Sequence, residues 1–248
     1  MASLRIGTWN LGRSGAFHRT RIPGQLAVLR RLDVDLWILT DGHAANVPAQ
    51  GHACRAVPGV EFQHAGEHRV IVWSRHALEP VVTEDPTSTV AVRLHPPALD
   101  RPVLVYGTAM THARGGAVQR QGLAWQRHHA TVQRQRAEWL RLRQEYADHL
   151  LCVAGDFNAS LDTAAHYGTV DPRQAILQGL ADAGLKCLTA AERLEVHAQA
   201  HDGRRASVDH VAFTDVPGLN VRLETVPGVV DGHRMSERDG VVVELSWA

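Results

Sequence analysis

Apolar residues alternate with others from Leu4 to Asn10, and the run stops at Asn10-Leu11-Gly12, which is the period of a strand with one buried face. In Pro23–Leu32 the apolar positions Leu26, Leu29 and Leu32 share one face of a helix, and Asp35–Thr40 is a short apolar run suited to a buried strand. Arg69–Trp73, Thr89–Leu94 and Val103–Thr108 read as further strands, with Pro96-Pro97 as a breaker after the second. A long helix is predicted from about Gln119 to His149, burying Leu123, Val132, Trp139, Leu142 and Tyr146. Leu150–Ala154 is a fully apolar strand. Asp171-Pro172 and Gly184 bracket a helix over Pro172–Ala183, and Val208–Phe213, Asn220–Val226 and Val241–Trp247 supply the last strands. No Ser/Gly linker divides the alternation, so residues 1–248 read as a single α/β domain. Each half carries a strand with a polar end, then a helix, then more strands, a faint internal echo.

Composition narrows the class. The 248 residues are 44% hydrophobic and 21% charged, as in a globular protein. No apolar run reaches the length of a membrane span, and Met1–Ile6 enters a strand pattern without a signal peptide, so the cytoplasm is the expected compartment. Cys54, Cys152 and Cys187 are too dispersed for a disulfide framework or a thiolate zinc site. The 26 basic and 26 acidic residues balance, which removes the signature of a general nucleic-acid binder but leaves room for a locally basic groove. His128 and His129 read as solvated on the Arg-rich helix. His197 and His201 have metal-ligand spacing but no third ligand, and read as bystanders.

Candidate chemistry gathers where apolar strands end. Thr8-Trp9-Asn10, Thr40-Asp41, Thr111-His112, Gly155-Asp156-Phe157-Asn158 and Ser207-Val208-Asp209-His210 all follow this pattern, and Ser236-Glu237-Arg238-Asp239-Gly240 precedes the final strand. In Gly155-Asp156-Phe157-Asn158 the strand delivers a carboxylate and a carboxamide to one side of the chain. The first can take a proton from water and the second can donate to a phosphate oxygen, although an Asx-turn would use the same residues.

In order and nearly in spacing, TWN at 8–10, LWILTD at 36–41, GDFN at 155–158, VDHVAF at 208–213 and SERDGVVVEL at 236–245 resemble the endonuclease/exonuclease/phosphatase superfamily. The resemblance runs the length of the chain. It implies a four-layer α/β/β/α sandwich, with two mixed sheets face to face and helices outside. It also implies Mg²⁺ or Mn²⁺ held by Asn10, Asp41 and Glu237. Asp156 would act on the attacking water, Asn158 and His112 would hold the phosphate, and Asp209 would orient the side chain at 238.

Three positions depart from the superfamily's pattern. Asp41 stands where it usually has Glu, and Glu237-Arg238 where it has Asp-His. Arginine stays protonated and has no acceptor, so Arg238 can clamp phosphate but cannot act as a base. His210 and His233 are the nearby histidines that could replace it. The reading is a monomeric, metal-dependent phosphoesterase hydrolysing a phosphate ester, nucleic acid among the candidates, by in-line attack of water. The alternative is a weakened or inactive member that binds a phosphorylated ligand.

Overall fold

The structure, a computed structural model, describes residues 2–13, 20–59, 64–111, 118–161, 170–190 and 207–247. The alternation at the N-terminus becomes β1 (Ala2–Asn10), followed by α1 (Arg21–Arg31) and β2 (Leu36–His43). Then come β3 (His52–Arg55), β4 (Glu67–Ser74), β5 (Glu79–Val81), β6 (Thr89–Leu94) and β7 (Val103–Ala109). The long helix is α2 (Val118–Glu145), leading to β8 (Leu150–Asp156), α3 (Val170–Asp182), β9 (Leu185–Cys187) and β10 (Asp209–Thr214). The chain closes with β11 (Asn220–Val226), the ribbon strands β12 (Val229–Val230) and β13 (His233–Arg234), and β14 (Gly240–Trp247).

Two six-stranded sheets form, in the orders β11-β14-β1-β2-β4-β3 and β5-β6-β7-β8-β10-β9. Each has a parallel pair at its centre: β1 with β2 across α1, and β7 with β8 across α2. Their other neighbours are antiparallel, so the faint echo between the halves is a matched topology. Leu4, Ile6, Leu36, Ile38, Val70 and Val72 of the first sheet bury against Val92, Val105, Cys152, Ala154, Val211 and Phe213 of the second. The outer face of the first sheet packs Trp9, Trp37 and Leu39 on Val28 and Leu29 of α1. That of the second packs Tyr106, Leu151 and Val153 on Val132, Trp139 and Leu142 of α2 and Ile176 of α3. The expected four-layer α/β/β/α sandwich is therefore present.

Differences from the sequence reading have local causes. β3, β5, β9 and the β12–β13 ribbon were not anticipated, because they are two to four residues long and their positions are largely exposed or half-buried. The helix placed at Pro172–Ala183 begins earlier, at Val170, and Gly184 follows its end in a left-handed turn, φ +69°. Leu123 lies where side chains are outside the described residues. His128 is buried rather than solvated, because it falls on the same face of α2 as Val132, Gln135 and Trp139. No described helix is long and apolar enough to cross a membrane.

Candidate active site

The inter-sheet rows aim the polar strand ends at one another. On β1 the buried row Leu4-Ile6-Thr8 ends in Asn10; on β8 the row Leu150-Cys152-Ala154 ends in Asp156; on β10 the row Phe213-Val211 ends in Asp209. Asp209 and Asp156 are direct cross-strand partners. Asp41 has the opposite parity on β2, but a left-handed backbone, φ +45°, lets it join them. Asp156 is reached through Gly155 at φ +136°, where a Cβ would lie 1.9 Å from the Thr108 carbonyl oxygen. Only glycine fits that turn.

Asp156 is the hub. Its Oδ2 accepts from Asn10 Nδ2 at 2.9 Å, its Oδ1 accepts from the Asn158 backbone N–H at 2.9 Å, and Arg238 Nη1 lies 3.2 and 3.4 Å from the two oxygens. Asn10 Oδ1 accepts from the Gly12 N–H at 2.9 Å, which turns its amino group toward the carboxylates and lets it reach Asp41 Oδ2 at 3.2 Å. Asn158, at φ +50°, donates its side-chain N–H to the Met110 carbonyl at 2.8 Å. Arg13 makes a 3.5 Å ion pair with Asp41.

Burial raises the pKa of Asp156, the Asp41 charge adds to this, and the Arg238 charge and the bonds from Asn158 and Asn10 oppose it. Asp209 is pushed well above the carboxylate range, first by burial and then by the charge of Asp156. Both Asp209 oxygens, Asp41 Oδ1 and Asn158 Oδ1 are buried with no hydrogen-bond partner among the described residues.

Of the sequence-derived set, Asn10, Asp41, Asp156, Asn158, Asp209 and Arg238 come together. Arg238 bonds Asp156, while Asp209 acts on this group through charge without a hydrogen bond. Asp239 is occupied by the Gly228 N–H at 2.7 Å. Glu237 is exposed, with no hydrogen bond or ion pair to the cluster among the described residues. His112, His197 and His201 lie outside the described residues.

Neither candidate histidine replaces the one absent at 238. His233 is exposed on the ribbon. His210 points to the other side of β10, where Nε2 donates to the Ala159 carbonyl at 3.1 Å and the ring packs edge-on against Phe157. Ser236, which the motif contained without a role, donates to the Asn10 carbonyl at 2.5 Å and accepts from the Arg238 N–H at 3.2 Å. Its signal was the position two residues before Arg238, where a hydroxyl can cap a turn.

The family model described as Endonuclease/Exonuclease/phosphatase family matches residues 7–221. The chain belongs to this family. No curated protein matches it in sequence. An AP endonuclease from Leishmania major superposes with TM-score 0.72 at 10% identity, over 100% of this chain and 89% of the other. An endonuclease/exonuclease/phosphatase from Bacteroides vulgatus gives 0.67 at 13% identity, covering 100% of both chains. Humanised D. rerio TDP2 gives 0.65 at 12% identity, over 99% of this chain and 100% of the other. At these identities what is shared is the fold.

Endonuclease/exonuclease/phosphatase proteins generally use a divalent metal, and the donors of this member suit a hard cation. They are all oxygens, and Asp41 Oδ1 is buried with no hydrogen bond among the described residues, with Arg13 Nε 3.5 Å away. Asn10 turns Oδ1 to the Gly12 N–H and Nδ2 to Asp41 and Asp156, so its amide would have to turn over to offer an oxygen to an ion. No cluster of three or more His, Cys, Asp or Glu able to hold a metal occurs among the described residues. An ion here would therefore rest on one or two carboxylates and water, with Asn10 joining only after that turn.

Proposed function

We propose that this single domain, residues 1–248, is a divalent-metal-dependent phosphoesterase that hydrolyses a phosphate ester by in-line attack of water. The observation that carries this reading is the convergence on Asp156 of donors from three separate segments, Asn10, Asn158 and Arg238. A buried carboxylate with a raised pKa is a better base than a solvated one. Asn10 and the Asn158 N–H fix its orientation, so that one oxygen can take the proton of an attacking water.

Arg238 sits 3.2 Å from the same carboxylate and is about one-fifth exposed, so it can exchange this partner for a phosphate oxygen. That exchange frees Asp156 as it places positive charge where the transition state gains negative charge. Asn158 and His112 would hold the phosphate beside it. Asp41 would hold the ion, joined by Asn10 once its amide turns over, and the exposed Glu237 is the third candidate. Mg²⁺ or Mn²⁺ bound there would polarise the phosphoryl oxygen and screen the leaving group. The balanced charge favours a general phosphodiesterase or phosphatase over an enzyme that tracks along DNA. The chain would work as a monomer in the cytoplasm.

A second reading is a phosphate-binding member with little turnover. It is favoured by the Arg238–Asp156 ion pair, which occupies the base. The two separate by hydrolysis of an aryl phosphodiester with Mg²⁺ and with Mn²⁺, using Asp156→Asn as the blank. Metal-dependent turnover that vanishes in Asp156→Asn supports the enzyme; turnover equal to the blank with both ions supports the binding protein.

A further inference from the structure

A carboxamide is fully buried in α1, at a position where the helix otherwise packs Val28 and Leu29 against the first sheet. Gln25 Nε2 donates to the Leu11 carbonyl at 3.1 Å and to the Met235 carbonyl at 2.6 Å, and Gln25 Oε1 accepts from Asn46 Nδ2 at 2.5 Å. Burying such a group is unfavourable unless it is hydrogen-bonded, so its partners are the reason to look for a role.

Those partners lie in three segments that adjoin site residues. Leu11 directly follows Asn10. Met235 precedes Ser236, which in turn bonds both the Asn10 carbonyl and the Arg238 N–H. Asn46 accepts from the His43 N–H at 2.9 Å, two residues beyond Asp41. Arg21, one turn earlier on α1, donates to the same Met235 carbonyl at 2.8 Å. Gly24 lets the helix press on this loop, because a Cβ there would lie 2.4 Å from Met235 Sδ. The ladders hold β1, β2 and β14, but the segment from Met235 to Asp239 lies outside the two large sheets. Its position relative to Asn10 is set by these cross-ties together with the bonds of the Met235 and Ser236 N–H groups to the Gly228 carbonyl and of Trp9 Nε1 to the Arg238 carbonyl.

We propose that Gln25 is a positioning residue, a buried strut that sets the spacing of Asn10 and Arg238 around Asp156. It touches none of the reacting atoms in the phosphoesterase reading, on which its catalytic consequence rests. Because Asn10 and Arg238, two of the three donors to Asp156, adjoin segments that Gln25 joins, its loss shifts these two partners together and leaves the sheets intact.

The test compares Gln25→Met, which keeps the volume and removes the polar bonds, with Asn46→Ala, which removes one tie from the outer side. Each is read by thermal unfolding, by kcat and KM on an aryl phosphodiester, and by the Asn10 side-chain amide resonance in ¹⁵N NMR, assigned by its loss in Asn10→Ala. The expected result is a shifted Asn10 resonance in both variants. In Gln25→Met kcat falls by about 10²-fold with KM little changed, as for a misplacement near 1 Å; in Asn46→Ala the change has the same direction and is smaller. An unmoved Asn10 resonance in folded Gln25→Met overturns the proposal. So does a kcat loss that merely follows the loss of folded protein. If Gln25→Met does not fold, Asn46→Ala decides by the same resonance. Absence of turnover in the wild-type protein defeats the phosphoesterase reading alone, since the resonance still judges the strut.

Discussion

Acid should weaken this protein through His210 in a window that can be set in advance. The ring is 2% exposed; Nε2 donates to the Ala159 carbonyl, and Nδ1 faces Thr189 Oγ1 at 3.1 Å. With Nε2 donating, the neutral ring leaves Nδ1 to accept from that hydroxyl, which itself accepts from the Val211 N–H. Burial pushes the pKa of His210 down to about 4. In the unfolded chain a histidine titrates near ~6.5. As the pH falls from about 6.5 to about 4, the unfolded chain gains a proton that the folded chain refuses, and stability is lost throughout that interval. At about 1.4 kcal/mol per unit the loss amounts to roughly 3 kcal/mol. Asp156 and Asp209, with raised pKa values, act in the opposite sense, since their folded forms take protons more readily and gain stability as the pH falls. The measurement is therefore a difference: urea unfolding of the wild type and of His210→Gln at pH 7, 5.5 and 4, in which the carboxylate contributions cancel. At pH 7 the wild type should be the more stable, because of packing against Phe157. By pH 4 the gap should have moved by about 3 kcal/mol in favour of the variant. Parallel stability curves across that range would refute the assignment of a neutral, buried His210.

Gly155→Ala should lower stability by about 3 kcal/mol or more, through left-handed strain plus overlap with the Thr108 carbonyl, and should be visible as a drop in the urea midpoint. Asp209→Asn should raise stability at neutral pH by about 1–2 kcal/mol, because it removes a buried charge with no hydrogen-bond partner; an unchanged or lower unfolding temperature would count against that account. Arg238→His should raise metal-dependent turnover, by about 10²-fold or more if a protonatable group is what the site lacks. An equal or lower rate with Mg²⁺ and Mn²⁺ would show that Arg238 does not limit the reaction.

The parts of the site that could be read from the sequence are those that follow the period of a strand. Asn10, Asp156 and Asp209 each extend a buried row by one more step of two, so the pattern that predicts the strand also predicts where its polar end points. Asp41 breaks that rule, since it joins the others only through a left-handed backbone that composition does not reveal. The partner of Arg238 was hidden for another reason: a long side chain reaches across strands, and it bonds Asp156, 82 residues away in the chain. Gln25 was invisible because a polar residue on a helix gives the same signal whether it faces solvent or a buried carbonyl. Short edge strands escaped for lack of length, since β5 spans only Glu79–Val81 and its side chains are mostly exposed.

The pairing of the first and last strands has a mechanical consequence. β1 and β14 are antiparallel neighbours, with Ala2 opposite Trp247 and Thr8 opposite Val241. A force drawing Ala2 and Trp247 apart would load the rungs of this ladder one at a time, as in a zipper, rather than shearing them together. The fold should therefore yield at low tension when pulled from these ends. Asn10 lies just past the seventh rung, so the peeling front would reach the site while the second sheet still stood.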